Sequence, residues 1–140
     1  MQNAVVFNLT KTKIGMKERI LSAKIHVMIA AIGSQLPLPA YSHLVLYDRF
    51  NRKPVHKVQF QEGGARWVVL PAVSLVRRWV FSERLNQGVY FKLLGYSLDK
   101  SLSVRVITDS VDARDNRPLL IVETLSSKAE LTKDIQSLIR

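Results

Sequence analysis

The alternation of apolar and polar residues along the chain predicts a protein built mostly from β-strands. The pattern is clearest from Leu21 to Ile29, where every second residue is apolar and most residues between them are polar. Apolar runs bounded by turn residues predict seven further strands: Ala4–Leu9, His43–Tyr47, Val55–Phe60, Arg66–Leu70, Val89–Tyr96, Leu102–Thr108 and Leu119–Leu125. About eight short strands separated by turns are typical of an antiparallel β-sandwich.

A short helix is predicted directly after the fifth of these strands. The stretch from Trp67 to Trp79 reads WVVLPAVSLVRRW, which is an apolar run, a proline and then apolar residues at helical spacing. Four of these residues share one helix face: Ala72, Leu75, Val76 and Trp79. Pro71 suits the first turn of this helix, where its missing N–H would have no partner in any case.

The C-terminal segment has helical spacing. Ser127 and Glu130 stand three residues apart, as in a capping box. Apolar residues then recur at i, i+4, i+7 and i+8: Leu131, Ile135, Leu138 and Ile139. We therefore expect a β-sandwich over residues 1–126 and an amphipathic helical tail over residues 127–140, which covers the core or offers its apolar face to a partner.

The composition is that of one folded domain with an excess of positive charge. Hydrophobic residues make up 47% of the 140 residues, which is enough to build a core. The chain has 21 Lys and Arg against 11 Asp and Glu, a formal net charge of +10. This excess favours a polyanionic partner, but it is equally compatible with a surface that only maintains solubility or is neutralised by an acidic segment elsewhere.

The cations cluster in two regions, Lys11–Lys24 and Arg49–Lys57, and on the predicted helix. The candidates for contact with a polyanion are Lys11, Lys13, Lys17, Arg19, Arg52, Lys53, Arg77 and Arg78. Aromatic residues do not interleave with these clusters, and the sequence has no helix-turn-helix or RNP-like signature, so nucleic acid is not favoured as the partner. Heparan sulfate or another polyanion without bases fits this pattern of cations better than nucleic acid does.

Neither catalysis nor a bound cofactor or metal is supported by the sequence. The three histidines, His26, His43 and His56, lack metal-ligand spacing, and there is no cysteine for a disulfide or a thiolate site. No nucleophile elbow or phosphate-binding loop is present. The N-terminus MQNAVVF does not read as a signal peptide, and no apolar run approaches the length of a membrane span, so we expect no membrane insertion.

Several segments, taken in order, resemble a known family. FNLT at Phe7–Thr10 resembles an opening F-[DN]-L-[ST] strand, and ERILSAKIHVMI and HLVLYD resemble the core strands that follow it. WVVLPAVSLVRRW resembles W-L-x-F-D-V-T-x-x-V-x-x-W, and RLNQGVYFKL and NRPLLIVETLS resemble N-x-G-[LF]-x-[LF] and a closing N-[KR]-x-P-[FL]-[LM]-V strand. From about Phe7 to Leu125 the chain resembles the prodomain of a transforming growth factor-beta superfamily ligand, in the bone morphogenetic protein branch.

The resemblance implies an antiparallel sandwich with one short helix and a secreted, extracellular, non-enzymatic role. Prodomains of this family assist the folding of their growth factor, stay noncovalently associated with the mature growth-factor dimer, and confer latency or matrix targeting. The implied partners are that dimer and, in the matrix, heparan sulfate or extracellular proteins. In a secreted protein the sequon Asn8-Leu9-Thr10 makes Asn8 a glycosylation candidate.

The helix start departs from the family pattern. Where the family has Asp-Val-Thr, this chain has Pro71-Ala72-Val73, so the usual capping hydroxyl is lost unless Ser74 caps a shorter helix. We also find no counterpart of the family's N-terminal clamp segments or of its cystine-knot growth factor, and therefore expect an isolated arm domain, a fragment with an added Met1.

Candidates for contact with a protein partner come from the strand–helix unit: Trp67, Leu75, Val76 and Trp79. Isolated aromatics at strand or helix spacing usually pack in a core, so both tryptophans are predicted first as core residues and second as partner contacts. Arg77 and Arg78 are predicted to be solvated, with a docking ridge along the helix as the alternative.

Overall fold

The structure is a computed structural model that describes residues 5–9, 19–32, 42–60, 66–95, 103–107, 117–125 and 130–137. Within these ranges the chain forms two antiparallel sheets and one α-helix. The inner faces of both sheets contribute to one hydrophobic core. The predicted fold class, a mainly antiparallel β-sandwich with a short helix, is therefore confirmed.

The elements follow one another with short connections where both neighbours are described. The strands are β1 Arg19–Ile32, β2 Ser42–Asp48, β3 Pro54–Phe60, β4 Arg66–Pro71, β5 Val89–Gly95, β6 Ser103–Ile107, β7 Leu119–Leu125 and β8 Glu130–Gln136. Helix α1 spans Val73–Phe81, and a 3-10 turn spans Glu83–Leu85. None of the helices in the described ranges has the length and apolarity needed to cross a bilayer.

The long strand β1 organises the larger sheet, whose order is β4-β1-β7-β8 with β6 also paired to β1. Strand β4 lies along one edge of β1, and β6 and β7 lie end to end along the other edge. This follows from the register, because Met28 pairs with Trp67 of β4 and Ile107 of β6, whereas His26 pairs with Val69 of β4 and Leu119 of β7. The smaller sheet has the order β3-β2-β5.

Helix α1 turns its predicted apolar face into the core shared by the two sheets. Ala72, Leu75, Val76 and Trp79 are all buried there, which confirms the helical spacing. The helix starts at Val73, two residues after Pro71: Pro71 ends strand β4, and Ala72 is the N-cap without a side-chain cap. Ser74 therefore does not cap a shorter helix. The Ala72 N–H instead donates to the Ala23 carbonyl of β1 at 2.8 Å, which anchors the helix start on the larger sheet.

The prediction of a helical tail over residues 127–140 is wrong for its described part. Residues Glu130–Gln136 form β8, which pairs with β7 along its full length. The spacing of Leu131 and Ile135 fits either structure, because residues four apart share a face in a strand as well as in a helix. Pairing with the open edge of β7 and burial of Ile135 decide for the strand. Residues Ser127, Leu138 and Ile139 lie outside the described residues.

The strand predicted over Ala4–Leu9 is reduced to a single antiparallel bridge between Val5 and Val89. The predicted alternation of inward and outward side chains is confirmed for this segment, since Val5, Phe7 and Leu9 are buried. Two residues further on, the Phe7 carbonyl accepts a hydrogen bond from a side chain and not from a strand backbone: the donor is Asn86 Nδ2, at 2.8 Å. Because residues 5–9 form a bridge and not a strand, helix α1 follows the fourth strand of the described chain and not the fifth.

Gly88 allows the N-terminal segment to approach β5 closely. Its φ is +92°, and a Cβ at this position would lie 2.6 Å from the Val5 carbonyl oxygen. Only glycine meets both requirements without strain. The Val5–Val89 bridge therefore depends on Gly88.

The buried carboxylate of Asp48 joins the smaller sheet to the helix. Its Oδ2 accepts from Arg78 of α1 at 2.8 Å, and its Oδ1 accepts from the Phe50 N–H at 3.0 Å. The Asp48 side chain is 3% exposed, whereas that of Arg78 is 41% exposed. The backbone of Asp48 also closes the turn, by donating to the Lys53 carbonyl and accepting from the Arg52 N–H. One residue thus holds the β2–β3 turn and its contact with α1.

We predict that Arg78→Ala lowers the free energy of unfolding by about 1–3 kcal/mol, because it leaves a buried carboxylate with one fewer partner. Asp48→Asn should cost less, since the freed Arg78 turns to solvent. Urea unfolding measures both. Arg77→Ala is the control: Arg77 is exposed and makes only a 3.3 Å hydrogen bond to the Ile20 carbonyl. An equal loss in Arg77→Ala would contradict the role of the pair.

We predict that Trp79→Ala lowers the free energy of unfolding by about 3–5 kcal/mol, because Trp79 fills part of the core. Trp79→Phe should cost clearly less than this. The indole Nε1 is buried and has no hydrogen-bond acceptor among the described residues, so phenylalanine loses no bond there. Equal losses in the two variants would show that the indole N–H does have a partner.

Candidate functional site

The outer face of the larger sheet is largely apolar, although it is turned away from the core. We call this surface the Trp67 face. Its residues are Trp67 and Val69 of β4, Lys24, His26 and Met28 of β1, and Leu119 and Ile121 of β7. In an antiparallel pair, residues directly opposite each other lie on the same face of the sheet. The register therefore places these seven residues on one continuous surface.

The residues of the Trp67 face lie in rows that cross the strands. One row joins Trp67 to Met28, and the next joins Val69, His26 and Leu119. Trp67 is 44% exposed and Val69 40% exposed, while Met28 is buried beside them. A large aromatic ring and a branched aliphatic residue that stand half-exposed next to each other form the kind of surface that a protein partner covers.

The sequence places apolar residues on this face because two strands have no polar alternation. Residues 67–70 read WVVL and residues 119–122 read LLIV, so apolar side chains stand on both faces of β4 and β7. Continuous apolar runs are typical of strands that are covered on both sides. The sequence prediction located these two strands but did not place Val69, Leu119 and Ile121 on an exposed face. The unbroken apolar runs were the signal that would have found them.

Charged side chains surround the apolar rows of the Trp67 face. Lys24 pairs in register with Ile121, which in turn pairs with Asp134 of β8. Half-buried His26 lies between Val69 and Leu119. Desolvation by these neighbours lowers the pKa of His26 below its usual 6.5, the Lys24 charge lowers it further, and Asp134 opposes the shift. The lowered pKa favours the neutral imidazole at neutral pH.

The structure separates the four partner-contact candidates. Leu75, Val76 and Trp79 are buried in the core and are not available to a partner. Trp67 lies on the Trp67 face, so the prediction that both tryptophans are core residues is wrong for Trp67. The physical reason is the register of β4, which turns Val68 and Leu70 inward and the residues between them outward.

The polyanion candidates within the described ranges lie on three different elements: the β2–β3 turn, the start of β1, and α1. Arg52 and Lys53 are exposed in the β2–β3 turn, and Arg19 is exposed at the start of β1. Arg78 pairs with Asp48, so the prediction that Arg77 and Arg78 are both free in solvent is wrong for Arg78. Three further candidates, Lys11, Lys13 and Lys17, lie outside the described residues.

The histidines and Asn8 are placed on separate surfaces. His26 lies on the larger sheet, and His43 and His56 lie on β2 and β3 of the smaller sheet. In the described ranges no three His, Asp or Glu residues come close enough to hold a metal ion. Asn8 is half-buried between Phe7 and Leu9, and its glycosylation stays a prediction.

We predict that an NMR titration of His26 in the folded protein gives a pKa below 6.5. Lys24→Gln should raise this pKa, and Asp134→Asn should lower it, because the two charges act in opposite directions. The unfolded chain binds this proton first as the pH falls, so the His26 contribution to stability is complete above pH 6.5 and decreases below it. A pKa at or above 6.5 in the wild type would contradict the desolvated position of the ring.

Known proteins do not identify the chain. A comparison of the sequence with models of known protein families finds no match, and a comparison with curated proteins finds none either. The residue patterns and the Trp67 face are therefore the observations that bear on function.

Proposed function

We propose that this chain is a non-enzymatic prodomain module of a secreted growth-factor precursor of the transforming growth factor-beta superfamily. In this role it assists the folding of the growth factor and associates noncovalently with the mature growth-factor dimer. Three features support the proposal: the ordered resemblance of the segments, the antiparallel sandwich with one short helix, and an apolar surface suited to a protein partner.

The observation that carries the proposal is the Trp67 face. An antiparallel sheet that faces water normally has polar residues on that side. Here Trp67, Val69 and Leu119 share the outer side with a neutral histidine. Burial of such a surface by a partner releases free energy in proportion to the apolar area covered. Tryptophan is also a residue type that often dominates the energy of protein interfaces.

A prodomain needs such a surface for physical reasons. A chain that assists folding must bind apolar surface of its client before that surface is packed, and it must release it without a covalent step. An apolar sheet face rimmed by charges such as Lys24, Asp134 and Glu123 provides contact area together with solubility in the free state. Latency or matrix targeting belongs to the same proposal, as does an extracellular location.

The test is binding of the chain to immobilised mature growth-factor dimers of this superfamily at low and high salt. We predict saturable binding that persists at high salt, because an apolar interface loses little by screening. Trp67→Thr combined with Val69→Thr should weaken it by roughly thirtyfold or more, the effect of losing an interface hot spot of about 2 kcal/mol. Threonine keeps the strand propensity of both positions.

Leu94→Thr is the matched control for this experiment. Leu94 is an apolar residue with 37% exposure on a strand of the other sheet, so its replacement removes exposed apolar area from a different surface. It should change the affinity less than about twofold. Unchanged binding of the Trp67 and Val69 double variant would exclude this face as the interface. Absence of binding by the wild type would contradict the proposed association.

A further inference from the structure

The outer face of the smaller sheet has a different character, because it combines lysines with two tyrosines. We call it the Lys57 face. Its residues are Lys57 of β3, Val45 and Tyr47 of β2, and Tyr90 and Lys92 of β5, together with the turn residues Arg49, Arg52 and Lys53. Val45 pairs with Lys57 on one side and with Lys92 on the other. Two lysines that are 35 positions apart in sequence thus flank one residue of the central strand.

Within residues 42–60 and 89–95, exposed positive charge on this surface is not balanced by exposed acidic residues. Residues 42–60 and 89–95 contain five Lys and Arg, all of them exposed, and one acidic residue, Asp48. The Asp48 carboxylate is buried and already paired with Arg78 of α1. Nothing acidic in these two ranges therefore offsets the field of the exposed cations, and such a field attracts a polyanion.

The register places Lys57 and Lys92 on either side of a buried valine of the central strand. Val45 is only 4% exposed although it stands on an outer face. Its register neighbours Lys57 and Lys92 are long enough to cover it with methylene groups while their ammonium groups remain in water. Because neighbouring strands lie about 4.8 Å apart, the two lysines start about 10 Å apart across the sheet. The pairing of the strands thus fixes the separation of the two backbone positions that carry these cations.

The β2–β3 turn extends this positive surface and is rigidly held. Its residues are fixed by the Phe50 N–H bond to Asp48 Oδ1, by the Lys53 N–H bond to Asn51 Oδ1, and by the Arg49 N–H bond to the Gly88 carbonyl. Arg52 adopts a left-handed conformation with a φ of 60°. A charged surface that is ordered before binding loses less entropy when a ligand settles on it.

We propose that the Lys57 face is a binding site for a sulfated glycosaminoglycan of the heparan sulfate class. The ligand contacts Lys57 and Lys92 through sulfate groups and continues over the cations of the turn, Arg49, Arg52 and Lys53. This activity is independent of the docking of a growth factor on the Trp67 face, which belongs to the other sheet. Two of the residues were polyanion candidates from sequence, Arg52 and Lys53, and the register adds Lys92 from a distant part of the chain.

The tyrosines favour a glycan over single-stranded nucleic acid. Binding of single strands depends on aromatic faces that are open to the bases. Here Tyr47 and Tyr90 stack on each other, with ring centroids 4.8 Å apart and an interplanar angle of 3°. Each ring therefore has one face already covered, and both residues are half-buried. A sulfated glycan needs no aromatic stacking, because its recognition depends on cations and hydrogen-bond donors.

The test is the affinity of the intact chain for a heparin oligosaccharide over a series of salt concentrations. We expect that Lys57→Gln combined with Lys92→Gln weakens binding by about tenfold and makes the logarithmic salt dependence shallower by about 1.5 units, because two counterion-releasing contacts are lost. Arg52→Asn should weaken binding by about threefold without harm to the turn, since asparagine tolerates a left-handed backbone.

Arg19→Gln combined with Lys24→Gln is the matched control. Both residues are exposed on β1 of the larger sheet, and the double change removes the same net charge. Loss of less than about twofold in this control supports a local site, whereas equal loss in both double variants would reduce the effect to overall charge. Tighter binding to single-stranded DNA or polyglutamate of equal length, or no binding to heparin, would overturn the proposal. Circular dichroism and urea midpoints verify that each variant is folded.

Discussion

The buried carboxylate of Asp48 is the constraint on which the arrangement of this sandwich depends. A charge without a partner in this position would cost several kcal/mol, so the chain must supply partners in a fixed geometry. Arg78 of α1 supplies one, and the Phe50 N–H of the turn supplies the other. Because the start of α1 is in turn bonded from Ala72 to Ala23 of β1, the helix connects the two sheets at one end. These contacts connect the smaller sheet to the larger one in addition to the core that both sheets share.

The same pairing also determines the character of the two outer faces. Asp48 is drawn inward to Arg78, which removes the one acidic side chain of residues 42–60 and 89–95 from the smaller sheet's surface. The larger sheet receives apolar residues on both sides, because β4 and β7 are unbroken apolar runs. Exposed apolar residues therefore share the larger sheet with charges of both signs, whereas the exposed charges of residues 42–60 and 89–95 are all positive. A shared apolar core and two chemically different surfaces result from one simple sandwich.

Local periodicity predicted the parts of this fold that depend on neighbouring residues alone. The face of α1 was readable from the spacing of Leu75, Val76 and Trp79, and the strand character of β1 from its alternation. Features that depend on the partner of a strand were not readable. The i, i+4 spacing of Leu131 and Ile135 fits a helix and a strand equally, and only the open edge of β7 selects the strand.

The residues of the candidate site could not be predicted because the sequence does not reveal the pairing register of the strands. A shift by one residue exchanges the two faces of a strand, so sequence alone does not decide whether Trp67 or Val68 points to the core. The irregularity between Ile20 and Ser22 has this effect in β1 itself, where Leu21 becomes exposed and Ile20 is buried. Lys92 is likewise remote in sequence from the other cations of its surface. Sites built across strands emerge only when the pairing is known.

Different interactions act at the Lys57 face and the Trp67 face. The distance between the two faces bears on whether a polyanion and a protein partner can bind at the same time. Attraction between exposed charges is screened within about 10 Å at 0.1 M salt, whereas burial of apolar area is affected little by such salt. Packed sheets lie about 10 Å apart, and the side chains of the outer faces stand beyond them, so an occupant of the Lys57 face leaves the Trp67 face open. A polyanion held by Lys57 and Lys92 would therefore concentrate the protein at a surface without competing with a protein partner that covers Trp67. On the proposed arrangement the excess of positive charge would serve localisation, and the apolar sheet face would serve recognition of a protein partner.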